Sequence, residues 1–383
     1  MSQTNSNADR FRVVFTGGGS GGHVYPLIAV AEALQKKVLA LNAPTEFIYM
    51  GPKDAYSALL ESRGMTCVVI ASGKLRRYFS AENILDVPKF FIGFIQALFE
   101  LYFMMPDVIF SKGGTGALPV VVAGWFYRIP VVIHESDAQP GLTNLASSRF
   151  AKKIFVSFPR ATQFFNKNKV EISGPPVRAE LLEGRTTKEL AKETLGFDAK
   201  APLLLVIGGS QGSVRINEFI LENLAAIIPL TQVLHQTGVA NFLEAQKLSR
   251  AALIDGTTAS RYHAVDYFND NIAAALAAAD VCVARAGSGT IFELASFAIP
   301  SILIPLGEAA NDHQRVNAYE FSKDGGATVI DESNLLPGIF LNQLKILLDN
   351  ADARAKMGEM AGKFFAPGGA DHIADAIITM AAG

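Results

Sequence analysis

Six small residues in a row, Gly17-Gly18-Gly19-Ser20-Gly21-Gly22, separate an aliphatic run from His23-Val24-Tyr25-Pro26. Without bulky side chains, backbone N–H groups can close on an anion, and a helix that starts there adds the positive end of its dipole. Phosphate binding by Ser20, Gly21 and Gly22 is the chemistry this suggests. His23 falls in the first helical turn, where the dipole favours the neutral imidazole and hence a base for a substrate hydroxyl. Helix capping is the alternative role for that histidine. The loop also satisfies G-x-G-x-x-G, but the next strand ends Tyr49-Met50-Gly51 without the acidic residue that grips a ribose, which speaks against NAD. Gly18-x-Ser20-x-Gly22 and Gly208-x-Ser210-x-Gly212 both match the nucleophile elbow. A hydrolase needs one elbow, with an acid and a histidine following it in order, and no such pair stands out.

The block with the most chemistry is Arg285-Ala286-Gly287-Ser288-Gly289-Thr290-Ile291-Phe292-Glu293. A strand feeds a Gly/Ser turn whose N–H groups suit phosphate. Glu293 follows one turn later, placed to accept two ribose hydroxyls, or simply favoured near a helix N-terminus by the dipole. Asn311-Asp312-His313-Gln314 and Asn317 cluster amides suited to sugar hydroxyls or to a polar cap. No Asp-x-Asp occurs and no Cys/His pair has metal spacing, so neither metal nor cofactor is called for. Arg178 and Arg285 would instead neutralise a leaving diphosphate.

These groups need a scaffold, and the chain alternates short β-branched runs with longer helical patterns, the mark of βαβ units on a parallel sheet. Phe11 to Pro26 and Leu203 to Asn217 both read strand, glycine turn, helix; Val108 to Ile133 and Val281 to Ile304 repeat a second pattern. The expected fold class is α/β, with two Rossmann-like doubly wound domains: residues 1–176, then 177–366, with a 367–383 helix packing back on the first. The turn-rich Ser173 to Arg178 marks the join. With 34 Lys+Arg against 36 Asp+Glu, no basic field draws the chain to nucleic acid. Cys67 and Cys282 lie in apolar runs and form no disulfide framework, and the polar first ten residues lack a secretory apolar core, so a cytoplasmic setting is expected. Between Pro88 and Pro106 the sequence is almost wholly apolar, yet Lys89, Gln96 and Glu100 interrupt it and it falls short of the roughly 20 residues of a span. Lys89, Gly93, Gln96 and Glu100 form one narrow polar stripe, and Lys74, Arg76, Arg77, Tyr78 and Phe79 precede it. Peripheral docking on an anionic bilayer and burial inside the protein are both open for this helix.

Taken in order, TGGGSGGHVYP (Thr16–Pro26), HESDAQPGLTN (His134–Asn144), GPPVR (Gly174–Arg178), GGSQGS (Gly208–Ser213) and RAGSGTIFELASFAIPSILIPL (Arg285–Leu306) followed by NDHQRVNA resemble the MurG family, the bacterial peptidoglycan N-acetylglucosaminyltransferases. The resemblance implies a GT-B fold, the two domains facing a central cleft, and inverting transfer from UDP-N-acetylglucosamine to the muramoyl C4 hydroxyl of lipid I, giving lipid II at the cytoplasmic face of the cell membrane. It implies that Ser20, Gly21, Gly22, Asp137, Arg178, Ser210, Asn217, Phe268, Asn269, Arg285, Ser288, Gly289, Thr290, Glu293 and Gln314 serve the donor. Gly113, Gly114, Thr115, His134 and Asn144 would serve the acceptor, and His23, with Glu135 as runner-up, would be the catalytic base. Asp137, Ser136 and Thr115 depart from the family's usual residues, and Asp137 could repel a diphosphate. A UDP-sugar 2-epimerase, with similar domains and donor, is the alternative from another class; another lipid-directed GT-B transferase is the nearer one.

Overall fold

The computed structural model describes residues 10–39, 44–73, 81–209, 211–253, 260–268, 271–307 and 312–382, the side chains of 81–85 and 179 aside. The chain divides into two compact units, Met1–Arg178 with Ala366–Gly383, and Ala179–Phe365. Arg178 therefore closes the first passage through unit one, slightly later than the join expected after Pro176.

Unit one carries a parallel seven-stranded sheet. Its strands are β1 (Phe11–Gly18), β2 (Thr45–Gly51), β3 (Thr66–Val69), β4 (Val108–Gly114), β5 (Val131–Glu135), β6 (Lys153–Val156) and β7 (Val170–Ile172), in the order β3-β2-β1-β4-β5-β6-β7. Helices α1 (Gly21–Leu39), α2 (Ser57–Ser62), α3 (Ala81–Met104), α4 (Ala117–Phe126) and α5 (Leu142–Ser147) connect them. Unit two holds β8 (Leu203–Ile207), β9 (Gln232–Gln236), β10 (Tyr262–Val265), β11 (Val281–Ala284), β12 (Ser301–Leu303) and β13 (Ala327–Val329), ordered β10-β9-β8-β11-β12-β13. Each sheet thus starts at its centre, winds outward to one edge and crosses back to the other side. Ligands of such sheets bind outside the strands' carboxyl ends, where the winding reverses. In unit one that switch lies between β1 and β4, in unit two between β8 and β11. Strands buried on both faces read as unbroken aliphatic runs, as LLLVI does, while buried VVIHE ends in the polar pair His134-Glu135.

The core of unit one is split by its sheet. Val13, Phe15, Phe110 and Val132 face α1, and Ile373, Ala374 and Ile377 of the Gly369–Ala382 helix, all fully buried, complete that layer. Burying each isoleucine contributes about 1.5–3 kcal/mol. Lys37 pairs with Asp375 at 2.8 Å along the same helix contact. On the opposite face Val14, Ile109 and Ile133 meet α4 and one edge of α3.

Helix α3 inverts ordinary amphipathicity. Gly93, Ala97 and Leu101 point inward, with Gly93 so close to the Ala71 carbonyl that no Cβ would fit. Outward stand Phe91, Ile92, Ile95, Phe99 (65% exposed), Tyr102 and Phe103 (78%), beside Trp125 and Phe126 at the end of α4. The segment Asp86–Met104 is long and apolar enough to cross a bilayer, but only 17% of it is buried. A buried core helix is thereby ruled out. Gln96 belongs to the expected polar stripe yet accepts from the Ala71 amide at 2.7 Å. The basic-aromatic group at Lys74 to Phe79 lies outside the described residues.

Candidate active site

The first loop follows a register shift between Thr16 and Gly17 near the end of β1, beyond which Gly17 and Gly18 pair with Gly113 and Gly114 of β4. Gly17 and Gly19 sit at φ 149° and 89°, conformations that a side chain resists. Ser20 then opens α1: its carbonyl accepts from the His23 amide at 3.1 Å, and its Oγ lies 2.9 Å from His23 Nδ1. The imidazole rests on Gly114, where an added Cβ would stand 3.2 Å from two ring carbons and 2.6 Å from the Gly18 carbonyl oxygen. Gly113, Gly114 and Gly116 all have φ near +80°, and Thr115 Oγ1 reaches over Gly19. Ser20, Gly21, Gly22, His23, Gly113, Gly114 and Thr115 are thus brought together where the winding reverses. Asp54, unremarked in the sequence, accepts from the Gly19 amide at 3.1 Å. A carboxylate already on that N–H opposes a phosphate there, so the first loop is better suited to a neutral hydroxyl than expected. Arg178 stacks its guanidinium 4.5 Å above the Tyr25 ring, two residues beyond His23.

Beside this loop, Glu135 has both oxygens engaged. Oε1 accepts from the Asp137 amide at 2.9 Å; Oε2 accepts from the Gly141 amide at 3.1 Å and from Asn144 Nδ2 at 2.9 Å. Burial and the neighbouring Asp137 raise its proton affinity while Lys112 and these donors oppose the rise. A carboxylate so occupied anchors the 135–144 loop, which corrects its expected part as a base. Asn144 is 4% exposed and His134 fully buried, with His134 Nε2 3.1 Å from Ser157 Oγ. Burial, reinforced by the charge of Lys112, depresses the His134 pKa well below the usual range. Both side chains help build the loop, each keeping one buried polar atom, His134 Nδ1 and Asn144 Oδ1, without a hydrogen bond to any described residue. Lys112 went unnoticed among the aliphatic residues of β4; the only signal was a lysine inside VIFSKGG. It is 2% exposed; burial pushes its amine below the usual range, against the nearby charges of Glu135 and Asp137.

In unit two, Ser210 and Asn269 lie outside the described residues. Gln236 holds the surrounding loops: its Nε2 donates to the Gly209 carbonyl at 2.9 Å, and its Oε1 lies 3.4 Å from the amide of buried Phe268. Asn217 is 3% exposed, donating to the Thr237 carbonyl at 2.7 Å and facing His235 Nε2 at 3.0 Å. It is spent on the scaffold, against the expectation of donor contact. Arg285 likewise departs from its expected diphosphate contact. Each of its three nitrogens donates inside the unit, to Ser213 Oγ, the Ile304 carbonyl and Glu332, all within 3.2 Å.

The helix Ser288–Ser296 remains open at its start. Gly287 caps it in extended conformation without a side-chain hydrogen bond, and nothing lies within 4 Å of where a Cβ of Gly287 or Gly289 would be. The first-turn amides of Ser288, Gly289 and Thr290 are unclaimed by the helix itself and suit an anion. Asn317 Nδ2 steadies the turn through the Ala286 carbonyl at 3.4 Å. Glu293 lies half-buried one turn in, and Gln314 Oε1 accepts from the Leu306 amide at 3.1 Å, which fixes the orientation of its amide.

Two doubly wound sheets, each with a glycine loop and a helix N-terminus at its switch point, make the two-domain α/β GT-B fold. The glycosyltransferase family 28 N-terminal domain matches residues 13–156 and the family 28 C-terminal domain residues 203–373. A Bacillus cereus UDP-N-acetylglucosamine--N-acetylmuramyl-(pentapeptide) pyrophosphoryl-undecaprenol N-acetylglucosamine transferase 2 is 37% identical over 341 residues, covering 88% of this chain and 92% of the relative. The Clostridium tetani transferase of the same description is 33% identical, covering 96% and 97%. The crystal structure of Acinetobacter baumannii MurG superimposes with a TM-score of 0.74 at 26% identity, covering 96% of this chain and 99% of that one. This chain belongs to the MurG family of N-acetylglucosamine transferases within glycosyltransferase family 28. A putative UDP-N-acetylglucosamine 2-epimerase from Listeria monocytogenes also superimposes, with a TM-score of 0.68, but at 14% identity it shares the fold alone.

Proposed function

We propose that this chain moves N-acetylglucosamine from UDP-N-acetylglucosamine to the C4 hydroxyl of the muramoyl sugar of lipid I, forming lipid II with inversion at the anomeric carbon. The observation that carries this reading is the 37% identity over 341 residues with a transferase so described. The local arrangement supports it. His23, oriented by Ser20 and seated on Gly114, takes the acceptor hydroxyl's proton as the oxygen attacks C1 of the donor sugar. The C1–O bond breaks on the opposite face and its electron pair leaves on the diphosphate of UDP. That charge falls to the open amides of Ser288, Gly289 and Thr290, which need no reorganisation to receive it. Glu293 accepts from ribose hydroxyls and Gln314 meets the sugar. Arg178 and the Phe268 backbone line the nucleotide's surroundings.

The acceptor implied for this chain is a polyprenyl lipid, so the enzyme must work at a bilayer surface. The exposed apolar face of α3, continued by Trp125 and Phe126, supports a peripheral position on the cytoplasmic leaflet, with aromatic rings lying at the headgroup boundary. The decisive assay is transfer of labelled N-acetylglucosamine to a lipid I analogue in detergent with EDTA present. Robust wild-type transfer, with a His23→Ala rate reduced about 10²–10⁴-fold, is expected for loss of a general base. UDP release or sugar epimerisation without acceptor would overturn the reading in favour of an epimerase.

A further inference from the structure

One guanidinium in unit two joins three loops that leave the carboxyl ends of different strands. Arg285 follows β11 directly. Its Nε donates to Ser213 Oγ at 3.1 Å, the hydroxyl that caps the Val214–Glu222 helix behind the glycine loop of β8. Its Nη1 donates to the Ile304 carbonyl at 3.2 Å, just past β12, and its Nη2 pairs with Glu332 Oε1 at 2.6 Å. The second oxygen of Glu332 accepts from the Gly307 amide at 3.2 Å, and the preceding amide, Leu306, donates to Gln314 Oε1. Contacts therefore run unbroken from Ser213 through Arg285, Glu332 and the 304–307 loop to Gln314. Partial burial works against ionisation of Glu332, but Arg285 and the Gly307 amide outweigh it and hold the carboxyl below its usual range. A charged, hydrogen-bonded pair shielded from water keeps a fixed geometry where a longer flexible contact would not.

We infer that Glu332, through Arg285 and the Gly307 amide, is a positioning residue that sets where Gln314 meets the donor's sugar, an inference that rests on the donor assignment above. Among the described residues the hydrogen bonds of Glu332 go to Arg285 and the Gly307 amide and not to Ser288–Thr290 or the loop of β8, so its removal should be felt more at the sugar than at the nucleotide. The conservative change Glu332→Gln keeps an acceptor for Gly307 but loses the charge facing Arg285.

The test compares KM for UDP-N-acetylglucosamine with the inhibition constant of UDP, in wild type, Glu332→Ala, Glu332→Gln and Arg285→Lys. For Glu332→Ala, KM should rise about tenfold, as expected for one charge-assisted hydrogen bond, while the UDP constant stays within about twofold. Glu332→Gln should recover part of that KM. Arg285→Lys, which also releases Ser213, should weaken both constants, and combining it with Glu332→Ala should add less than the sum of the two changes. Equal losses in KM and UDP binding for Glu332→Ala would make the residue a general support of the fold and overturn the inference, as would no change in either. Should wild-type enzyme bind UDP but fail to transfer sugar, the assignment of function falls instead, and that result is read before any variant is made.

Discussion

Replacing Gly114 with alanine tests whether this glycine sets the position of His23. At φ 79° an alanine sits in the left-handed region, which costs about 1–2 kcal/mol. Its Cβ would also lie 2.6 Å from the Gly18 carbonyl oxygen and 3.2 Å from two carbons of the imidazole. The carbonyl belongs to a strand end and yields little; the ring can swing, so the ring moves. With strain of about 2 kcal/mol in a unit of this size, Tm should fall by roughly 4–8 °C. Displacing a catalytic group by a fraction of an ångström to an ångström should lower kcat by about 10–100-fold. KM for UDP-N-acetylglucosamine should hold within about threefold, because unit two is untouched. Initial rates with a lipid I analogue at saturating donor, alongside a thermal melt, read both effects. In the His23→Ala background, Gly114→Ala should cost little further activity, since the group it displaces is gone. A Gly114→Ala enzyme that melts lower yet turns over at the wild-type rate would refute the link, and so would full additivity with His23→Ala.

Two further outcomes follow from features away from the reacting atoms. Phe99→Glu with Phe103→Glu should lower sedimentation with anionic vesicles by more than about tenfold, each ring contributing roughly 1.5–3 kcal/mol on burial in lipid, while transfer to a short-chain acceptor in detergent persists; retained vesicle binding would move the docking surface elsewhere. Burial holds His235 neutral, with a pKa pushed down to about 3, between Tyr262 Oη and Asn217 Oδ1, each 3.0 Å away. The unfolded chain takes up that proton below about pH 6.5 and the folded chain does not, so stability present above 6.5 is lost as pH falls toward 3, by about 1.4 kcal/mol per pH unit. Denaturant midpoints of wild type and His235→Gln across that range should show a shallower slope in the variant, by about 1.4 kcal/mol per pH unit, with buried His134 contributing equally to both.

The repeated strand-turn-helix pattern made the architecture legible, because the halves carry the same punctuation and wind their sheets in the same order. His23 was legible because six small residues precede it at a strand end, whereas Gly114 entered only through the resemblance, and the structure seats the imidazole on it. Arg285, Asn217 and Glu135 were misread because residue type reveals the capacity to bind a ligand but not which neighbour has already used it. Their partners, Glu332, Thr237 with His235, and Asn144, are separated from them by up to 47 residues, and no local spacing announces the pairs. Helix α3 misled differently. The spacing groups Gly93 with Lys89, Gln96 and Glu100 in one polar stripe; those three are exposed, whereas Gly93 lies inward because only a residue without a Cβ fits over the Ala71 carbonyl.

The polypeptide leaves unit one at Arg178 and returns at Ala366, and the returning helix closes the layer over α1 with Ile373, Ala374 and Ile377. A ribosome delivers all of residues 179–365 before that helix exists. Domains ordinarily fold in the order in which they emerge; here the amino-terminal sheet waits with one face of its core uncovered while the later unit has everything it requires. Birth order and completion order are therefore reversed, and a nascent chain that stalls late exposes the aliphatic face of the half that was made first.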